Sequence, residues 1–136
     1  MKFKTLNNRE IRLDIVPERY PVRTREDSKS VGQFNLGQLI QSIYGMNALV
    51  LEEFPVPEER LWLDFYLPHF GIAFEYHGEQ HDKFTKFFHI DKKGFKNSQE
   101  RDSRKRNWCV LNSIRLIEVR GNISNEDLIE LIKKHD

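Results

Sequence analysis

Apolar positions along the chain fall into runs of distinct period, and those periods sort the sequence into elements. Leu36, Leu39, Ile40 and Ile43 recur at i, i+3, i+4 and i+7, so the segment from about Gly32 to Tyr44 reads as an amphipathic helix stopped by Gly45. Ala48–Phe54 (ALVLEEF) predicts a strand closed by Pro55 and Pro57. Leu61–Leu67 (LWLDFYL) and Ile72–Tyr76 (IAFEY) predict two more, joined by the tight turn Pro68-His69-Phe70-Gly71. Most positions in both are apolar, which requires cover on both faces. A polar, basic helix follows from roughly Lys92 to Asn112, and then a short strand, Ile114–Val119. The last helix opens with Ser124 and Asp127 in a capping-box spacing, gains an apolar face from Leu128, Ile129, Leu131 and Ile132, and ends on Lys133 and Lys134, which suit its dipole. The order α-β-β-β-α-β-α makes this an α/β domain, assigned to residues 30–136. Residues 1–29 are polar and basic, with short β-type stretches such as Ile11–Val16 bounded by Pro17 and Pro21, and predict a hairpin or extended N-terminal arm.

Composition narrows the setting. A chain of 136 residues is one domain's worth, and 38% hydrophobic residues suit a globular core. No apolar run approaches the ~18 residues of a membrane span, and the N-terminus lacks the apolar stretch of a signal peptide. The single cysteine, Cys109, cannot form an intramolecular disulfide, and a cysteine-based zinc site is not expected. These features fit a reducing, cytoplasmic compartment with no membrane partner. The net charge of +1 conceals an uneven distribution. Lys92, Lys93, Lys96, Arg101, Arg104, Lys105 and Arg106 cluster on one predicted helix, and a second scatter covers Lys2, Lys4, Arg9, Arg12, Arg19, Arg23, Arg25 and Lys29. Either cluster can be a solvated face or a set of phosphate contacts; charge alone leaves both open.

Two acids interrupt otherwise apolar strands: Asp64 in LWLDFYL and Glu75 in IAFEYHG. A carboxylate in a buried strand needs compensation, either from an Arg or Lys partner or from a divalent cation. Two antiparallel strands folded about residues 69 and 70 bring Asp64 and Glu75 side by side. Glu75 and His77 share one face of their strand, so the acid is followed by a polar group able to orient or deprotonate a water. Gly78 lets backbone approach a ligand, and Gln80 and His81 face the same region from the following loop. On the basic helix, Phe95, Asp102 and Cys109 repeat at heptad spacing, with Gln99 beside them, which turns Asp102 inward. It then either contacts the site or holds a histidine, or it forms an i,i+3 ion pair with Lys105.

Taken together, LDFYLP (63–68), FEYHGEQHD (74–82), FFH (87–89), Phe95-x-x-x-Gln99-x-x-Asp102-x-x-Lys105 and the WC-x-x-N-x-I-x-LIEV pattern (108–119) resemble the very-short-patch-repair-type endonuclease superfamily. That group lies within the PD-(D/E)xK nucleases and includes phage-borne EDxHD homing endonucleases. The resemblance spans about two-thirds of the chain, from Ser30 to Val119. It implies a restriction-endonuclease-like αβββαβ core with a mixed central sheet, and Mg²⁺- or Mn²⁺-dependent cleavage of DNA phosphodiesters in a bacterial or phage setting. It also implies that Asp64 and Glu75, with the backbone at Tyr76, hold the metal. His77, standing where the signature has its lysine, or His81 becomes the catalytic histidine, and Asp102 the acid of the later helix. Gln80, Lys92, Lys93, Lys96, Gln99, Arg101, Arg104 and Lys105 become contacts to DNA, duplex or branched and mismatched. One departure is Gln33, which stands where many relatives have Glu in an S-x-G-E pattern; the acid is dispensable, was replaced, or is supplied by Glu52 or Glu53. Repair enzymes of this group also carry a structural zinc, which a single cysteine does not provide. Aromatic residues Phe84, Phe87 and Phe88 either wedge between bases or cap the core. One site per chain means that double-strand cleavage needs a homodimer or two visits. The rival expectations are a non-catalytic nucleic-acid-binding protein on a decayed nuclease fold and a hydrolase acting on RNA or nucleotides.

Overall fold

The computed structural model describes residues 1–78 and 92–135, except for the side chains of Lys92, Lys93 and Phe95. Its elements are β1 (Lys2–Lys4), β2 (Glu10–Arg12), a 3-10 turn (Pro17–Arg19), α1 (Val31–Tyr44), β3 (Leu51–Val56), β4 (Leu61–Leu67), β5 (Ile72–His77), α2 (Lys92–Leu111), β6 (Arg115–Arg120) and α3 (Asn125–Lys134). The period-based reading therefore holds in order and type. Most boundaries shift by a single residue, and the larger differences fall in β3 and the N-terminal segment. β3 begins later than expected and runs through Pro55, because β3 is the edge of its sheet and an edge position tolerates a missing N–H. Of Ile11–Val16, only the first two residues are in a strand; the rest leads into the turn that starts at Pro17, where proline's fixed φ favours helical geometry.

β1 and β2 form a small antiparallel hairpin, and the main sheet has the order β3-β4-β5-β6. Its first two pairings are antiparallel, while β5 and β6 are parallel, so α2 lies in the crossover between them. The fold is mixed α/β.

Both faces of the sheet are covered, as the near-continuous apolar strands demand. One face packs Leu51, Phe54, Leu63 and Tyr66 against Phe3 of the hairpin and against Trp108 and Cys109 of α2. The other packs Phe65, Leu67, Phe74 and Ile117 against Leu36 and Ile40 of α1 and Leu128 of α3. Ser30 caps α1 by accepting a hydrogen bond from the Gln33 amide at 3.0 Å, and Ser124 caps α3 through Asp127 N at 3.1 Å. A Cβ on Gly37 would stand 3.0 Å from the Phe65 ring, so glycine there lets α1 settle closely on β4.

The hairpin is fastened to this body rather than extended from it. Asn112 accepts from Lys4 N at 2.7 Å and donates to Lys4 O at 3.0 Å, while Phe3 is fully buried. Cys109 is buried in this core, and burial pushes its thiol up to about 12. Among the described residues, no helix is long and apolar enough to cross a membrane.

Candidate active site

The strand registers set one acid on each strand at a single level of the sheet. Glu75 of β5 is paired with Glu118 of β6. The constant register of β4 with β5 sets Asp64 opposite Glu75, and that of β3 with β4 sets Glu53 opposite Asp64. Facing like charges are unfavourable in a ladder, so such a row requires compensation.

At that level the sheet also changes its alternation. Leu51 and Phe54 of β3 lie in the same core cluster although three residues apart, and so do Leu63 and Tyr66 of β4. Both strands thus slip by one residue where Glu53 and Asp64 stand. Glu53 has φ +53°, a left-handed conformation that is costly for a residue with a Cβ and that recurs at functional sites.

The β4–β5 ladder opens at Asp64, and the two carboxylates bridge the gap. Asp64 N donates to Glu75 Oε2 at 2.6 Å, and Tyr76 N donates to Asp64 Oδ2 at 2.8 Å. In an extended strand the N–H and C=O of one residue point to the same side, so the Tyr76 carbonyl belongs on the β4 side of β5. Lys105 of α2 donates to Glu75 Oε1. Burial raises the Asp64 carboxyl above its ordinary range, against the Tyr76 N–H, which lowers it. Burial and the neighbouring Asp64 charge push Glu75 up to about 8. Lys105 is pulled down by burial, but the Glu75 and Asp64 charges outweigh this and raise it. The pair therefore holds a proton to higher pH than free carboxylates would, and one more positive charge would be welcome there.

Gln33 comes to the rim of this site. Buried with Ile40 on one face of α1, as its heptad spacing implies, it donates from Nε2 to Glu52 Oε2 at 2.9 Å and to Glu53 Oε1 at 3.0 Å. Glu52 also accepts from Arg23 N at 2.7 Å, and Lys29 lies 3.4 Å from Glu53. The neutral amide at position 33 is thus the donor that holds two acids together. A Cβ on Gly32 would fall 1.9 Å from the Tyr76 hydroxyl, so the first turn of α1 must be bare for Tyr76 to lie across it.

On the other side, His77 is buried with Nε2 3.1 Å from Glu118 Oε1, and Arg106 donates to the same carboxylate at 2.9 and 3.3 Å. Burial would raise Glu118, but the Arg106 hydrogen bond prevails and lowers it. Asp102 is half-buried, and Lys105 reaches Glu75 instead of closing an ion pair with it. Lys96, Gln99, Arg101 and Arg104 are exposed on α2, with Arg104 donating to Glu59 O at 2.9 Å. Gln80, His81, Phe84, Phe87 and Phe88, together with the side chains of Lys92, Lys93 and Phe95, lie outside the described residues.

Sequence reasoning brought Asp64, Glu75 and Gln33 to one place but missed Glu118 as the partner of His77. The available signal was the same as for Asp64: an acid inside an apolar strand, IRLIEV. The Lys105–Glu75 contact had no such signal, since it depends on where α2 crosses the sheet.

As oxygen donors, two carboxylates and one backbone carbonyl suit a hard divalent cation, which commonly takes one or two carboxylates and keeps several waters. Among the described residues no three His, Cys, Asp or Glu side chains form a ready-made metal cage.

No family model matches the chain. Over 74 residues it is 39% identical to Uncharacterized protein 033L of Invertebrate iridescent virus 3, a stretch that covers 54% of this chain and 38% of the relative. Over 59 residues it is 46% identical to Uncharacterized protein 307L of Invertebrate iridescent virus 6, covering 43% and 30%. The matched stretches span well under half the length of these curated relatives. No solved structure matches.

Proposed function

We propose that the chain is a divalent-cation-dependent DNA endonuclease with a restriction-endonuclease-like core, hydrolysing phosphodiester bonds. The observation that carries this reading is the exchange between Asp64 and Glu75. Each carboxylate accepts from a backbone N–H of the neighbouring strand, at the level where the ladder opens. Pairing acids across an opened ladder has no packing benefit that two apolar residues would not exceed. Asp64, Glu75 and the Tyr76 carbonyl are the groups that would hold Mg²⁺ or Mn²⁺. Bound there, the ion would supply charge to the scissile phosphate and make a water more acidic.

The protein's own groups divide the remaining work. His77, braced by Glu118 and Arg106, lies on the same strand face as Glu75, where it can orient a water or take its proton. His81 is the other histidine suited to that task. Asp102 faces the same region from α2. Lys96, Arg101 and Arg104, and the exposed Lys2, Lys4 and Arg9 of the hairpin, offer charge to flanking phosphates, which fixes position without reading sequence. A cytoplasmic setting in a bacterial or phage-infected cell belongs to the same proposal.

Incubation of supercoiled plasmid with the purified chain and Mg²⁺ or Mn²⁺ tests this reading. Nicked or linear product is expected, and Asp64→Ala should reduce its rate by at least about a thousandfold, as loss of a principal electrostatic element does. Wild-type protein that shifts DNA in a gel yet cuts with no divalent ion would replace the nuclease with a binding protein on the same fold. Gln33, an amide where an acid would serve a metal, is the feature that favours that second reading. An RNA substrate run in parallel distinguishes the two nucleic acids.

A further inference from the structure

The acid pair already has a cation of its own. α2 is anchored by Trp108 and Cys109, both fully buried against the sheet, and one turn earlier Lys105 reaches over β5 to Glu75. Its side chain is only 15% exposed, and that of Glu75 only 7%. An ammonium held this far from water needs the acid as much as the acid needs it, since either alone would be a buried charge without a partner. Asp64, by contrast, has no ion pair among the described residues; its bonding partner is the Tyr76 amide. Two acids thus share one fixed ammonium.

We propose that Lys105 is a displaceable internal counter-ion that occupies the divalent cation's place and leaves Glu75 when the ion binds. The inference rests on the nuclease reading and adds a competitor within the site. Lys105 has somewhere to go: Asp102 lies one turn back on the same face of α2, half-buried, and its charge already acts on the ammonium. The exchange keeps Glu75 partnered throughout, so that this acid never stands in the core as a buried charge on its own. Its cost is affinity, because each ion bound must first free Glu75 of its lysine. A two-carboxylate site without such a competitor would bind more tightly and fold less well when empty.

Calorimetric titration of Mn²⁺ into the DNA-free, full-length chain tests this, comparing wild type with Lys105→Met and Lys105→Arg. Lys105→Met should bind Mn²⁺ about tenfold or more tightly than wild type, while Lys105→Arg, which keeps the charge, should bind no more tightly. Mn²⁺ bound by wild type and Lys105→Met with equal strength would overturn the inference and leave the nuclease reading standing. Mn²⁺ bound by neither would overturn both. If Lys105→Met does not fold, side-chain ¹⁵N spectra of the wild type give the answer. The Lys105 ammonium, assigned with Lys105→Arg, should lose its slow exchange with water when Mg²⁺ is added. An unchanged signal at saturating Mg²⁺ would overturn the inference.

Discussion

Glu75 illustrates how a single side chain makes the site sensitive to pH. Its carboxyl is raised from an ordinary 4.5 to about 8, by burial first and the Asp64 charge second. Between those values the folded protein holds a proton that the unfolded chain has released, so this group's stabilising contribution is full below about 4.5 and fades as pH climbs through about 8. Metal-free protein should therefore melt at progressively lower temperature from pH 5 to pH 8, as far as this residue governs it. Glu75→Gln should flatten that slope, read as a difference in Tm between variant and wild type that widens with pH. If the proposed cation binds there, the same proton must depart, so apparent affinity for Mn²⁺ should rise over that interval. Gln33 shows the complementary device: an amide adds no charge and gives both of its protons to acids, Glu52 and Glu53.

At the scale of elements, the site is set by contact between the start of α1 and the end of β5. Gly32 makes room for the Tyr76 ring, and Tyr76 supplies both the amide that holds Asp64 and the carbonyl beside it. Alanine is normally the better helix former, yet Gly32→Ala should destabilise the protein by about 1–3 kcal/mol, because the new methyl collides with the Tyr76 ring. Urea denaturation of Gly32→Ala, Tyr76→Leu and the double variant would show a double loss smaller than the sum. The hydrophobic period located most elements because α1, β4, β5 and β6 are framed by apolar faces on local spacing. It did not reveal the slip of β3 and β4, because the face each apolar residue takes is decided by packing: Leu51 and Phe54, paired with Tyr66 and Leu63, all lie in one core cluster. The meeting of Asp64 and Glu75 was legible from turn length. The Lys105 and Glu118 contacts were not, because helix placement across a sheet and a parallel register are long-range facts. The resemblance to repair-type nucleases, in turn, supplied roles that neither period nor spacing contains.

Across the whole molecule, charge is nearly balanced, at +1, yet α2 exposes Lys96, Arg101 and Arg104 while its inner side supports the acids. A surface of this kind recruits a polyanion by counterion release, with log affinity falling by about 0.9 for each tenfold rise in salt per phosphate engaged. If the nuclease reading holds, Arg101→Ala should weaken DNA binding for every sequence alike and reduce the salt slope by about one, measured by fluorescence anisotropy over a salt series. The hairpin, fixed to the end of α2 through Asn112, extends the same molecule with Lys2, Lys4 and Arg9.

The left-handed turn at Glu53 places a thermodynamic tax on idleness. Glycine would occupy that dihedral without strain, and Glu53→Gly would also thin the line of carboxylates, so the substitution should raise the metal-free melting temperature even after losing the Gln33 and Lys29 contacts. A chain selected for endurance alone would drift towards that glycine. With glutamate there, the strand carries a strain that its own stability does not call for.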